Sequence, residues 1–579
     1  MKINDRIKRR YNAILQLLLG ILIILLVNII ASFVFHRIDL TSEKRHSISD
    51  ATKNLLEEVD DIVFFRIYLE GDFPAGFKRL RNATKEMLDE FRAYNKLIQY
   101  EFIDPSASDD PQERNDTYQL LMEKGLDPAD LSVSTKKGME KQVIFPGALA
   151  TYKSEETAVN LLNTQVGVPP EMVLNNSVQA LEFRLASAIR NLSQVRKPRL
   201  GFLRGHGELD NMEINDLLNS LAGQYSMELI RIDGQLSSLT KRDSVSDEKT
   251  RIINKYEALV IAKPDTAFSE KDKFILDQFI MRGGRVLWLL DPVFASMDSL
   301  QSAESTMGIP VDLNLEDMLF DYGVRLNTDL VMDLIALQIP LRTGQVAGQP
   351  QINFFPWYYF PLIMPTEQHP IVNNLNSIKT EFISSIDTIK VAGIKKTILL
   401  QTSPYSRIVR TPTMITLSIL QSEPDERLYT GPRQNIAVLL EGRFKSVFKN
   451  RIPPQIEYNK DIGFVEESEP TAMIVVSDGD IAKNQFHFSQ GYPLPLGYDQ
   501  YTGETFGNKD FLLNALDYLT DESGLIEIRS RELKLRLLDS TKVSEQKLQW
   551  QLINTILPVL LVLLFGMGQY LYRKRKYTR

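Results

Sequence analysis

Residues 256–292, "YEALVIAKPDTAFSEKDKFILDQFIMRGGRVLWLLDP", read as strand, helix and strand. The runs "YEALVIAKP" and "RVLWLLDP" are nearly continuous in apolar residues, while "SEKDKFILDQFIMRGG" between them has helical character and stops at paired glycines. Two strands apolar on both faces and joined by a helix belong to a parallel sheet covered on both sides. In such sheets ligands collect at the carboxyl ends of the strands. That places Asp291, at the end of the second strand, among the residues to watch.

Upstream, "KPRLGFLRGHGELD" carries a strand, "RLGFL", into the turn "RGHGE", with "NDLLNSLAG" as the following helix. Gly205 and Gly207 let the backbone turn with positive φ or approach a ligand closely, and His206 and Glu208 add a donor, an acceptor and a charge. Two readings stand side by side: a ligand or partner site, or a turn pinned by these two side chains. Downstream, the apolar strand "AMIVV" ends at Asp478 and Asp480. An Asp-Gly turn is the favoured reading there, because a calcium or magnesium site needs more oxygen ligands than the stretch declares. "GNKDFLLNALDYLTD" reads as a packing helix with Phe511, Leu512, Ala515 and Leu519 facing inward.

Towards the N-terminus, Ser49 is a candidate cap for a short helix bearing Leu55, Leu56 and Val59. "IVFFRIYLE", "FKRLRNATKEMLDEFRAYN" and "LIQYEFIDP" make a βαβ unit; "KQVIFPGALATYKSEETAVNLL" reads as a hairpin, and "SVQALEFRLASAIRNL" as a helix. This is the element order of a thioredoxin-like domain, expected over residues 40–194. The chain contains no cysteine, so thioredoxin's redox chemistry is excluded, together with thiolate zinc sites, iron–sulfur clusters and cysteine nucleophiles. With only five histidines, no metal site and no cofactor are expected. A net charge of -7 recommends no nucleic acid as partner.

The two ends set the compartment. Residues 13–35 hold 23 positions without a charge, enough to cross a hydrocarbon core as an uncleaved anchor, and residues 552–571 form a second such run containing Pro558. Lys2, Arg6, Lys8, Arg9 and Arg10 precede the first, and Arg573, Lys574, Arg575, Lys576 and Arg579 follow the second. Excess positive charge outside both spans predicts cytoplasmic termini, with residues 1–12 and 572–579 inside and the α/β region on the outer, periplasmic face of an inner membrane. The α/β body is then expected over 195–525, with insertions, and a charged membrane-proximal connector over 526–551.

"RIDLTSEKRHSIS", "EGDFPAGFKRLRNATKEMLDEF", "GHGE", "LWLLDP", "GNKDFLLNALDYL" and a closing C-terminal span together resemble the GldG family, the gliding-motility-associated ABC transporter auxiliary components of Bacteroidetes. The resemblance runs nearly end to end. It implies a non-catalytic, ligand-binding or accessory role beside a separate multi-span permease and a separate ATPase, with a periplasmic glycan, lipid or protein as the kind of ligand. It also implies a central domain similar to class I amidotransferase-like, flavodoxin-like folds. The residues agree on one point, since no G-x-x-x-x-G-K-[ST] occurs to hold ATP phosphates. Two rivals remain: a periplasmic hydrolase built on His206, Glu208 and Asp291, and an envelope scaffold without a ligand.

Finally, "NFFPWYYFP", residues 353–361, sets six aromatic rings among two prolines. Prolines argue against a helix or a central strand across the stretch, and alternation along an extended segment keeps all six rings from entering one core. Trp357, Tyr358 and Tyr359 are therefore expected at a partner-facing or domain-seam surface, with a sugar-stacking cleft second. A strand buried on both faces between two domains is the structural alternative.

Overall fold

The computed structural model describes residues 14–26, 48–530 and 540–577, apart from short breaks at 72, 136–137, 163–167, 195, 247–248, 304, 347–348, 367 and 522. It is a mixed α/β protein with two compact units, residues 1–531 and 532–579.

The first domain opens with helix α1 (Asp50–Glu58), whose Ser49 side chain accepts from the Thr52 N–H as its sequence predicts. Glu182, far along the chain, accepts from both the Ser49 N–H and the Thr52 hydroxyl, tying the start of α1 into the core. Strand β1 (Val63–Ile67), helix α2 (Ala75–Tyr94) and strand β2 (Ile98–Phe102) form the expected βαβ unit, with β1 and β2 parallel. After helix α3 (Pro111–Glu123) come β3 (Gly147–Tyr152) and β4 (Glu155–Asn160), an antiparallel hairpin that turns through Lys153 at φ 53°. Residues 141–144, expected in this hairpin, pair instead with a separate one begun at Ala129–Thr135. The sheet order is β2-β1-β3-β4, with β3 antiparallel to β1. Helices α4 (Pro170–Gln179) and α5 (Leu181–Ser193) replace the single helix expected here, and α5 buries Leu181, Leu185 and Ile189.

The second domain is built on one seven-stranded sheet. Strand β5 (Arg199–Arg204), helix α6 (Asn215–Leu221) and strand β6 (Ser226–Arg231) come first, then β7 (Ala258–Ala262), helix α7 (Glu270–Met281) and β8 (Arg285–Leu289). Ser269 caps α7 by accepting from the Asp272 N–H, and Gly283 at φ 80°, one of the paired glycines at which the sequence stops the helix, follows its end.

Residues 293–393 and 402–434 lie outside this sheet as insertions, the first holding the long strands β9 (Ala336–Val346) and β10 (Gln349–Ile363); the chain rejoins the sheet as β11 (Ile394–Gln401), β12 (Asn435–Gly442) and β13 (Thr471–Val476). The sheet order is β11-β12-β13-β8-β7-β5-β6, parallel from β13 to β6, with β12 antiparallel to β13 and β11 antiparallel to β12. Alternate residues of one strand enter opposite cores. Val260 and Ala262 lie on one side with α6 and helix α8 (Asn508–Thr520); Leu259 and Ile261 lie on the other with α7. Phe511, Leu512, Ala515 and Leu519 of α8 are buried in the first of these cores.

The aromatic segment follows the buried alternative, in the form of an interrupted strand. Pro356 stands opposite Gln338 and Pro361 opposite Ala336, so four residues of β10 face one of β9. The segment is a long bulge inside a strand, because each proline removes a ladder donor and the chain between them leaves the pairing. Freed from strict alternation, Trp357, Tyr358, Tyr359 and Phe360 are all buried in one core with Leu330, Met332, Phe382, Tyr429 and Phe506. Trp357, Tyr358 and Tyr359 thus form no partner-facing surface. Of the six rings Phe354 is the exposed one, at 45%.

The connector expected over 526–551 also reads differently. Residues 525–530 form a short 3-10 helix whose Leu525, Ile526 and Ile528 are buried in the core of the first domain. Much of the charged run 529–539 lies outside the described residues.

In the second unit, helix α9 (Ser540–Tyr577) begins well before the predicted span and contains Pro558. Its segment Gln546–Lys576 is long and apolar enough to cross a membrane. Of the first predicted span, Ile14–Leu26 is a shorter apolar helix, and the remainder and its basic flank lie outside the described residues.

Candidate functional site at the carboxyl edge of the sheet

The chain passes from β5 to β6 on one side and then crosses to β7 on the other, so strand order reverses between β5 and β7. Ligands of open α/β sheets bind at such a reversal. The GHGE turn leaves β5 at this place, and Lys263, Pro264 and Asp265 leave β7 beside it.

Gly205 and Gly207 have φ of 114° and 76°, the left-handed conformation for which glycine is suited. A Cβ on Gly207 would also stand 1.6 Å from Asp265 Oδ1. The His206 carbonyl accepts from the Asp265 and Thr266 N–H groups at 2.9 and 3.0 Å, and the Leu209 N–H donates to the Ala262 carbonyl at 3.0 Å. These bonds staple the loop after β5 to the loop after β7.

The His206 ring stacks on Phe268 with centroids 3.8 Å apart and planes 13° from parallel. Its Nδ1 lies 3.3 Å from Glu208 Oε1 and its Nε2 3.5 Å from Asp272 Oδ2. Glu208 Oε2 accepts from the His206 N–H at 2.8 Å, and the Glu208 side chain is 0% exposed. Burial pulls the imidazole pKa down, but the hydrogen bonds and charges of Glu208 and Asp272 raise it more, leaving it above its ordinary value. Burial pushes Glu208 up, and its bonds to His206 bring it below the usual carboxylate range. Both ring nitrogens of His206 are thus engaged by neighbouring carboxylates and one face of the ring is covered by Phe268.

A pH dependence follows. A histidine whose folded pKa is raised contributes stability that is fully present below its unfolded value, about 6.5, and lost as pH rises through the folded value. The chain is expected to lose stability on going from mildly acidic to mildly alkaline pH, and His206→Gln to flatten that slope. Thermal unfolding of the full-length protein in detergent at pH 6 and pH 8.5 checks it; an unchanged slope in the variant would place the titration elsewhere.

Asp291 sits on the same edge but with different company. Lys263, at φ 54°, directs its ammonium to Asp480 and to Asp291 Oδ2, 3.3 Å away. Asp291 Oδ1 accepts from the Gly479 N–H. Asp478, fully buried, accepts from the Glu381 N–H at 3.1 Å and from the Asp480 N–H at 2.9 Å. Burial raises Asp291 against the pull of Lys263, to about 6. Burial, reinforced by Asp291 and Asp480, raises Asp478 well above the carboxylate range.

Strand β7 separates Asp291 from the GHGE turn, and among the described residues no hydrogen bond or ion pair joins Asp291 to His206 or Glu208. The group of three that a hydrolase would use is therefore split in two. Nor do the described residues contain a cluster of three or more His, Asp or Glu side chains placed to hold a metal ion. Lys263 escaped the sequence reading because one lysine after a strand carries no spacing signal. The available clue was a cation closing one apolar parallel strand while carboxylates close two others.

Comparison with known proteins now bears on this architecture. A family model described as "ABC-type uncharacterized transport system" matches residues 197–515, more than half of the chain and nearly all of the second domain. The chain belongs to this family of ABC transporter auxiliary components. Membership gives it an accessory role in an ABC-type transport system and implies association with permease and ATPase components. Such auxiliary components are not normally catalytic. Residues 42–151 match a domain of unknown function. An uncharacterized protein of Borreliella burgdorferi is 21% identical over 578 residues, covering 98% of this chain and 99% of the relative. The mmIFT52 N-terminal domain superposes with a TM-score of 0.30 and 12% identity, over 56% of this chain and 97% of that structure, a level that carries no structural argument.

Proposed function

We propose that this member of the auxiliary family is the non-catalytic subunit of a GldG-type ABC transporter complex linked to gliding motility. Two spans anchor it in the inner membrane with both termini cytoplasmic, and its α/β region stands in the periplasm, where it recognises a ligand or partner for the permease. The observation that carries this reading is the family match over the sheet domain, followed along the chain by the apolar helix Gln546–Lys576. Three basic residues, Lys574, Arg575 and Lys576, close that helix and support a cytoplasmic end. The strand order β2-β1-β3-β4 with an antiparallel third strand supports the thioredoxin-like reading of the first domain. The order β6-β5-β7-β8 supports the flavodoxin-like reading of the second. A non-catalytic role is supported by the internal engagement of His206 and Asp291.

Affinity purification of the full-length protein in mild detergent, followed by mass spectrometry, tests the proposal. A multi-span permease and an ATPase are expected to accompany it, and to be lost when the two apolar segments are exchanged for unrelated spans. Recovery of this chain alone from the native membrane would sink the reading.

A further inference from the structure

On the β6 side of the GHGE turn lies an open cleft of about 870 Å³, walled by the ends of β5 and β6. Two guanidinium groups line it. Arg204 is half-buried and donates to the Leu203 carbonyl at 3.1 Å and to Asn211 Oδ1 at 3.0 Å. Arg231 is exposed, and among the described residues neither arginine forms an ion pair. The acids of the cleft are already committed. Glu208 is held by His206, and Asp210 Oδ1 accepts from the Met212 and Glu213 N–H groups, both at 2.8 Å. Burial lowers the Arg204 pKa, while the charges of Glu208, Asp210 and Glu213 raise it.

Two further features narrow the ligand. Met212 and Leu229, 49% and 46% exposed, give the cleft an apolar wall. Gly205 and Gly207 leave the floor free of side chains, and a Cβ on Gly205 would meet nothing nearer than Arg231 Cγ at 4.0 Å. Guanidinium forks match the paired oxygens of phosphate and carboxylate, and the volume exceeds what a bare oxyanion needs.

We propose that this cleft binds an oxyanion, phosphate or carboxylate, carried on an apolar chain or ring: the anion between Arg204 and Arg231, the apolar part against Met212 and Leu229. This rests on the reading of the chain as the recognition subunit of its transporter and names the class of ligand recognised.

The test is calorimetric titration of the full-length protein in zwitterionic nanodiscs, corrected for empty discs, with hexyl phosphate, inorganic phosphate and hexanol as probes. Hexyl phosphate is expected to bind one site at least tenfold more tightly than inorganic phosphate, and hexanol not to bind. Arg231→Gln, an exposed change that leaves the fold intact, should weaken hexyl phosphate about tenfold, and Arg204→Gln at least as much. Met212→Ser with Leu229→Ser should reduce hexyl phosphate to the level of inorganic phosphate. Absence of binding by the unaltered chain, or equal binding by the arginine variants, would overturn the site. Equal affinity for hexyl and inorganic phosphate would overturn the apolar half.

Repeating the titration in discs that contain phosphatidylglycerol separates the sources. Suppressed binding assigns the anion to a lipid headgroup and undiminished binding to a free solute, and both uphold the cleft. Co-purification of permease and ATPase with Arg231→Gln, alongside lost hexyl phosphate binding, upholds both site and subunit reading. Co-purification without any hexyl phosphate binding by the unaltered chain removes the site alone.

Discussion

Lys263→Met is expected to lower the unfolding free energy by about 3–5 kcal/mol at pH 7, the scale on which breaking a buried ion pair leaves charges uncompensated. Methionine keeps the chain length and shares lysine's status as a non-glycine residue at φ 54°, so the backbone term cancels. What is lost is the ammonium between Asp291 and Asp480, leaving two carboxylates facing one another beside the buried Asp478. Denaturant unfolding of the full-length protein in detergent measures the loss.

The sign of its pH dependence follows from the same geometry. Asp291 titrates at about 6 in the folded chain against about 3.9 unfolded, so its own contribution is present below pH 4 and lost as pH rises through 6. Without Lys263 that folded value climbs further, and the deficit of the variant should shrink at pH 5, where Asp291 takes up its proton. Lys263→Met with Asp480→Asn should recover part of the loss at pH 7. A deficit below about 1 kcal/mol would mean the group behaves as a solvated surface pair.

Trp357→Ala should cost about 3–5 kcal/mol, from lost apolar burial and the cavity left in the core of the insertion. Trp357→Phe should cost less than half as much, because the indole Nε1 has no hydrogen-bond partner and its removal strands nothing. The rings of Tyr359, 5.4 Å away, and of Phe360, itself edge-on to Phe382, would line the cavity in the alanine variant. Thermal and denaturant unfolding of both variants decide the matter. Equal losses for alanine and phenylalanine would show that the indole N–H, and not ring volume, holds the bulge.

The sheet was readable where chemistry is local. Apolar runs such as "ALVIA" and "VLWL" and paired glycines each report on a few neighbouring residues, and together they defined β7, α7 and β8. The GHGE turn was readable for the same reason, since its glycines announce a backbone shape. Whether His206 faced a ligand or the protein was not, because Phe268 and Asp272 arrive from the loop and helix after a different strand.

Lys263 and Asp480 meet across 217 positions, a distance no periodicity spans. The aromatic segment misled through a sound rule applied to the wrong backbone. Alternation holds for a paired strand, and Pro356 and Pro361 interrupt the pairing on either side of the four buried rings. Leu525, Ile526 and Ile528 were hidden by their neighbours, since three apolar residues beside a charged run look like a connector until a core is found for them.

That last segment has a consequence for how the molecule is made. The first domain is not finished when its own stretch of chain has been synthesised; its core waits for residues 525–528, which emerge after the entire sheet domain. Arg529 then lies 5.1 Å over the Phe183 ring of α5 while it bonds to Asn514 of α8, so one short segment clasps the first domain to the last helix of the sheet domain.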